Sequence, residues 1–71
     1  MSDLKESRQS LGLTQSQMAL LMGMHQGHYS DIERGANGRE PTRVHWACVR
    51  LIHYCHDAGI LDPLLSKATT Q

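Results

Sequence analysis

Apolar residues recur along this chain at spacings of three and four, and no segment alternates with the period of two that marks a strand. Leu13, Met18, Ala19, Met22, Met24, Tyr29 and Ile32 fit stripes that would line a core. A second apolar face runs through Val44, Cys48, Leu51, Ile52 and Cys55, and Ile60, Leu61, Leu64 and Leu65 form a third cluster. Gly12, Gly23, Gly35 and Gly59 punctuate these stretches where helices would end. The pattern predicts five short helices. The first covers residues 3–11, with Ser2 as its cap and Asp3 favourable to the helix dipole. The second starts at Thr14, where Thr14 and Gln17 read as a capping box, and stops at Gly23. The third begins at His25 or Gln26 and ends at Arg34. Residues 35–41 form a loop. Thr42 caps a fourth helix that continues to about His56, and Asp62-Pro63 reads as the cap and first residue of a fifth.

Gly23-Met24-His25 leaves only a tight turn between the second and third helices, so the two must cross steeply. That is the geometry of a helix-turn-helix unit, whose second helix can enter a DNA major groove about 12 Å wide.

Composition narrows the picture. With 71 residues the chain holds one domain and one modest core, and its C-terminal helices, about residues 42–67, are expected to serve both core and dimerisation. Lys and Arg number seven and Asp and Glu seven, so the formal net charge is zero, against the basic excess usual for nucleic-acid binding. Distribution matters more than the sum. Arg34, Arg39 and Arg43 lie close together in sequence and can form a phosphate-binding edge. No apolar run approaches the ~20 residues of a membrane span, and the N-terminus shows no signal segment. Cys48 and Cys55 stand about two helical turns apart, roughly 10 Å, too far for a disulfide. These features lead us to expect a cytoplasmic protein.

The residues Leu13-Thr14-Gln15, Met18-Ala19, Gly23, Ser30, Ile32-Glu33-Arg34-Gly35 and Pro41 resemble, in type and spacing, the Cro/repressor-type (xenobiotic-response-element-like) helix-turn-helix regulators of bacteria and phages. The resemblance covers about residues 4–56. The short length is also similar to regulators carried by phages and plasmids, including autorepressors encoded beside anti-CRISPR genes. The resemblance implies an all-α fold, a compact bundle of about five short helices like the lambda-repressor DNA-binding domain. It implies a dimeric, sequence-specific repressor of double-stranded DNA that reads an inverted repeat, with half-sites about 34 Å apart, and that can autoregulate its own operon.

Carried over residue by residue, the family's base-reading positions fall on Gln26, Gly27, His28 and Asp31. Gln suits adenine, and His28 can donate to guanine. Asp31 can accept from cytosine or repel phosphates. The phosphate contacts fall on Gln15, His25, Asn37, Arg39 and Arg43. Arg8 and Glu33 occupy the positions of a structural salt bridge between the first and third helices. His25 stands where the family has a Ser or Thr cap, and Gly27 weakens the third helix by roughly 1 kcal/mol.

Trp46, Arg50 and His53 form the stripe of the fourth helix opposite its apolar face. Either the fifth helix or the N-terminus covers Trp46, or this stripe joins Ile60, Leu61, Leu64 and Leu65 in a dimer interface. His45, Cys48, Cys55 and His56 are metal-ligating types, yet the zinc spacing is absent and the cysteines read as apolar-face residues, so no metal site is expected. No catalytic constellation appears, and neither a cofactor nor a small-molecule ligand is implied. A second reading makes the same scaffold a protein-interaction module, an antitoxin or inhibitor, using Leu20, Leu21 and Trp46.

Overall fold

The structure is a computed structural model that describes residues 4–69. Ser2 and Asp3, expected at the start of the first helix, lie outside the described residues. Five α-helices follow in order: α1 (Leu4–Ser10), α2 (Gln15–Met22), α3 (Gln26–Arg34), α4 (Arg43–Asp57) and α5 (Leu61–Thr69). A 3-10 turn at Ala36–Gly38 joins α3 to the segment before α4, and no strand occurs among the described residues.

The helix ends follow from local chemistry. The Thr14 hydroxyl accepts from the Gln17 backbone N–H, and the Gln17 side chain accepts from the Thr14 N–H, completing the capping box. At the other end Gly23 takes φ 71°, a left-handed conformation that is cheap only without a Cβ, and its N–H bonds back to Ala19 and Leu20. Thr42 caps α4 in the same way, with one addition. The His45 ring accepts from the Thr42 N–H at 3.0 Å through Nδ1, so imidazole plays the part usually taken by Glu or Gln.

α2 packs against α3, α4 and α5, so it runs through the middle of the bundle. Leu4, Met18, Tyr29 and Ile32 are the most deeply buried side chains, and Leu11, Leu13, Ala19, Val49, Ile52 and Leu61 complete the core. Leu21, Met22, Met24, Trp46, Leu64 and Leu65 pack around it.

Two expectations are corrected here. The apolar face of α4 that faces inward is not Val44, Cys48, Leu51 and Cys55. Val44 is 70% and Leu51 67% exposed, while Val49 and Ile52 are buried and Trp46 packs against the core. α4 carries two apolar stripes, and a helix in so small a bundle buries only one. The stripe that turns inward is the one on the side where α2 and α5 pack against α4. Of the expected dimer-interface residues, Leu61 is buried and Trp46, Leu64 and Leu65 pack against the core. α5 folds back onto α2 and α4 and closes the bundle with that cluster. Arg50 and Ile60 are exposed, and His53 is half-buried.

The start of α5 also differs. The Leu64 N–H bonds to the Ile60 carbonyl, so the helix begins at Leu61, two residues earlier than Asp62 as cap would require. Pro63 then sits within the first turn, where its missing N–H removes no helical bond.

Because Trp46 belongs to the core, Trp46→Ala should destabilise the protein by about 2–3 kcal/mol. A denaturant titration showing a loss under about 0.5 kcal/mol, the range of surface substitutions, would place the indole outside the core.

Candidate nucleic-acid interface

α3 is built with two faces. Tyr29 and Ile32 stand three apart and are both buried, which fixes the inner side of the helix. Gln26, Gly27 and Arg34 are exposed, with His28, Ser30 and Asp31 half-buried between the two faces.

The C-terminal half of α3 is tied to α1 and α2 by one polar network. Arg8 Nε donates to Glu33 Oε2 at 2.9 Å, and Arg8 Nη2 donates to Oε1 at 3.3 Å. Arg8 Nη1 donates to the Leu13 carbonyl at 3.0 Å. Gln15 Nε2, at the start of α2, donates to Glu33 Oε1 at 2.9 Å. The Glu33 side chain is 3% exposed and that of Arg8 13%. Burial works to raise the Glu33 carboxyl, but the hydrogen bonds from Arg8 and Gln15 outweigh it and hold the carboxyl below its ordinary range. Tyr29 Oη lies against this pair without a hydrogen bond of regular geometry among the described residues. Burial first, and the Glu33 carboxylate second, push its phenol well above the ordinary value.

The N-terminal half of α3 is held differently. His25, the residue before it, has extended backbone and makes no side-chain cap bond. The first helical residue is instead steadied from α2: Ser16 Oγ donates to Gln26 Oε1 at 2.8 Å. Gln26 keeps its amide N–H₂ donors and one oxygen lone pair for other partners.

A third cluster joins α3 to the turn after it. Arg39 Nη1 lies 2.9 Å from His28 Nδ1. A guanidinium has only donors, so Nδ1 accepts and the neutral ring carries its proton on Nε2. Arg39 Nε lies 3.6 Å from Asp31 Oδ2, Arg34 Nη2 donates to Asp31 Oδ1 at 2.8 Å, and Asn37 Nδ2 donates to Oδ2 at 3.4 Å. Asn37 sits at φ 56°, a left-handed conformation that Asn tolerates better than most residues. One carboxylate thus gathers two guanidiniums and an amide, leaving the edge net positive.

Gln26, Gly27 and His28 stand at the outward start of α3. Asn37, Arg39 and Arg34 stand at its far end. Asp31 is placed among donors of its own chain, and Gln15 is turned to Glu33. Arg43 is exposed at the first position of α4. Two participants were not legible beforehand, Ser16 and the pairing of Asp31 with the arginines. The position of Ser16 near the start of α2, next to a very short turn, is the one signal that bears on it. His45, Cys48, Cys55 and His56 do not converge, and among the described residues no three His, Cys, Asp or Glu side chains could hold a metal. Among those residues no helix is long and apolar enough to cross a membrane.

A family model described as Helix-turn-helix matches residues 4–43, from α1 to the first residue of α4. No curated protein and no solved structure matches the chain.

The Arg8–Glu33 network yields a paired expectation. Arg8→Ala leaves a buried carboxylate uncompensated and should cost about 3 kcal/mol, read as a fall in Tm. Glu33 is held below its unfolded value, so its stabilisation is complete above about pH 4.3 and is lost as pH falls through the folded value. Glu33→Gln should therefore flatten the acid limb of a Tm-against-pH curve. An unchanged Tm in Arg8→Ala, or an acid limb identical in Glu33→Gln, would contradict this role.

Proposed function

The chain belongs to the Cro/C1-type helix-turn-helix family, whose members are DNA-binding transcription regulators, and on that footing we propose that it is a sequence-specific repressor binding an inverted-repeat operator as a homodimer. Regulation of its own operon, in a phage or other mobile element, is part of the same proposal. The observation that carries the reading is the division of α3. Its inner face is locked into the core by Tyr29, Ile32 and Glu33. Its outer start carries exposed or half-exposed hydrogen-bonding groups, flanked by cationic side chains.

Each group has a role in that reading. Gln26 offers the paired donor and acceptor that match adenine N7 and N6, with Ser16 as its positioning residue. His28, its tautomer set by Arg39, offers an Nε2–H suited to guanine N7 or O6. Gly27 lets the helix approach closely. Arg34, Arg39, Asn37 and His25 face phosphate, joined by Gln15 through its remaining amide N–H. Asp31 shapes the arginine edge rather than reading a base.

The reading predicts that affinity for a duplex site falls steeply with salt, with a log–log slope near −0.9 for each phosphate neutralised. Gln26→Ala should weaken the preferred site by about 1–3 kcal/mol and relax the choice of one base pair. Equal binding of all sites by parent and variant would overturn the assigned register.

Gly27 supplies a second check, because stability and binding should part company there. A Cβ at Gly27 meets nothing within 4 Å. Gly27→Ala should therefore stabilise the fold by about 0.5–1 kcal/mol while lowering DNA affinity. A variant that gains stability and binds DNA unchanged would remove Gly27 from the contact surface.

A further inference from the structure

The three most exposed large apolar side chains among the described residues all stand on α4: Val44 at 70%, Tyr54 at 69% and Leu51 at 67%. Cys48 and Cys55 are half-buried beside them. Val44, Cys48, Leu51 and Cys55 are spaced four, three and four apart, the alternation of a coiled-coil seam, in which side chains of one helix fill gaps in another. A groove of about 360 Å³, lined in part by Leu21 of α2 and Leu64 of α5, continues this surface sideways. Monomeric proteins seldom leave a contiguous apolar patch of more than a few hundred Å² uncovered.

We infer that this face of α4 is where a second copy of the chain docks, the two α4 helices running antiparallel about a twofold axis near residue 50. The inference rests on the proposed reading for its dimer and deepens it by naming the surface. Self-complementarity selects the occupant. In the register that sets Val44 against the partner's Cys55, Cys48 meets the partner's Leu51, so each layer pairs a smaller with a larger side chain. Ala47 then lies opposite the partner's Tyr54.

Charge selects the direction. Arg43 is the first residue of α4 and Asp57 its last, and both are exposed. Each sits at the end of its own helix dipole that disfavours its charge. Asp57 touches its neighbour His56 at 3.4 Å and still leaves its side chain 79% exposed. An antiparallel partner brings Arg43 to the partner's Asp57 at both ends of a seam about 22 Å long, whereas a parallel one would set like charges together. Arg50, on the same flank, meets its own counterpart at the midpoint, so the flank nets two attractions against one repulsion. This arrangement gives Arg43 to the partner rather than to phosphate.

Sedimentation equilibrium of the full chain without DNA tests it. The parent should dimerise. Leu51→Glu should raise the dimer Kd by at least about tenfold, with helical circular dichroism unchanged because the side chain is exposed in the monomer. Arg43→Asp and Asp57→Arg should each weaken the dimer severalfold. The double variant should return to within about twofold of the parent. A parent that stays monomeric at about 100 µM, handing the face to some other partner, would overturn the inference. A dimer that survives Leu51→Glu, or a double variant no tighter than the single ones, would do the same. No DNA enters the measurement, so a dimer that fails to bind DNA would sink the regulator reading alone.

Discussion

The Arg8–Glu33 ion pair is the constraint on which the placement of α3 depends. Its guanidinium reaches both carboxylate oxygens and the Leu13 carbonyl, and Gln15 closes the set from the start of α2. An almost fully buried carboxylate in a chain this small is stable only when its lone pairs are taken up. Three segments therefore meet at one point. Burial of Tyr29 and Ile32 sets the inner side of this nine-residue helix, and the directional bonds to Glu33 pin it to α1 and α2. Together they fix the rotation of α3, and with it which residues look outward.

Once that rotation is set, the outward surface is tuned by bonds within the chain. Ser16 steadies Gln26, and Arg39 sets the His28 tautomer. Asp31 holds Arg34, Asn37 and Arg39 together at the far end. The formal charge of zero is thus reconciled with a basic edge, since acidic side chains are spent on organising the cationic ones rather than on masking them. Asp31 and Glu33, two residues apart on α3, divide this work between the outside and the core.

Much of this was legible in the chain. Thr14 with Gln17, and the glycines at 23 and 35, gave the boundaries of α2 and α3, because capping and left-handed ends are decided by a few neighbouring atoms. The partners Arg8 and Glu33 could be named from the family resemblance. The choice of stripe on α4 could not be read from periodicity. Val44, Leu51 and the cysteines repeat as well as Trp46, Val49 and Ile52 do, and only the packing of α5 and α2 decides between them. The start of α5 was misread because Pro63 is compatible with any position of a first turn. The Ser16–Gln26 and Asp31–Arg39 contacts join residues whose approach depends on the crossing of two helices, which local sequence does not encode.

In the proposed function α3 reads a specific duplex sequence. The most direct test is selection of random duplex DNA on the purified chain, with the bound fraction sequenced. Enrichment of an inverted repeat is expected, with half-site centres about one helical turn or a multiple of it apart. Recovery of a pool no different from the input would contradict it, and would turn attention to the protein-interaction reading of the same scaffold.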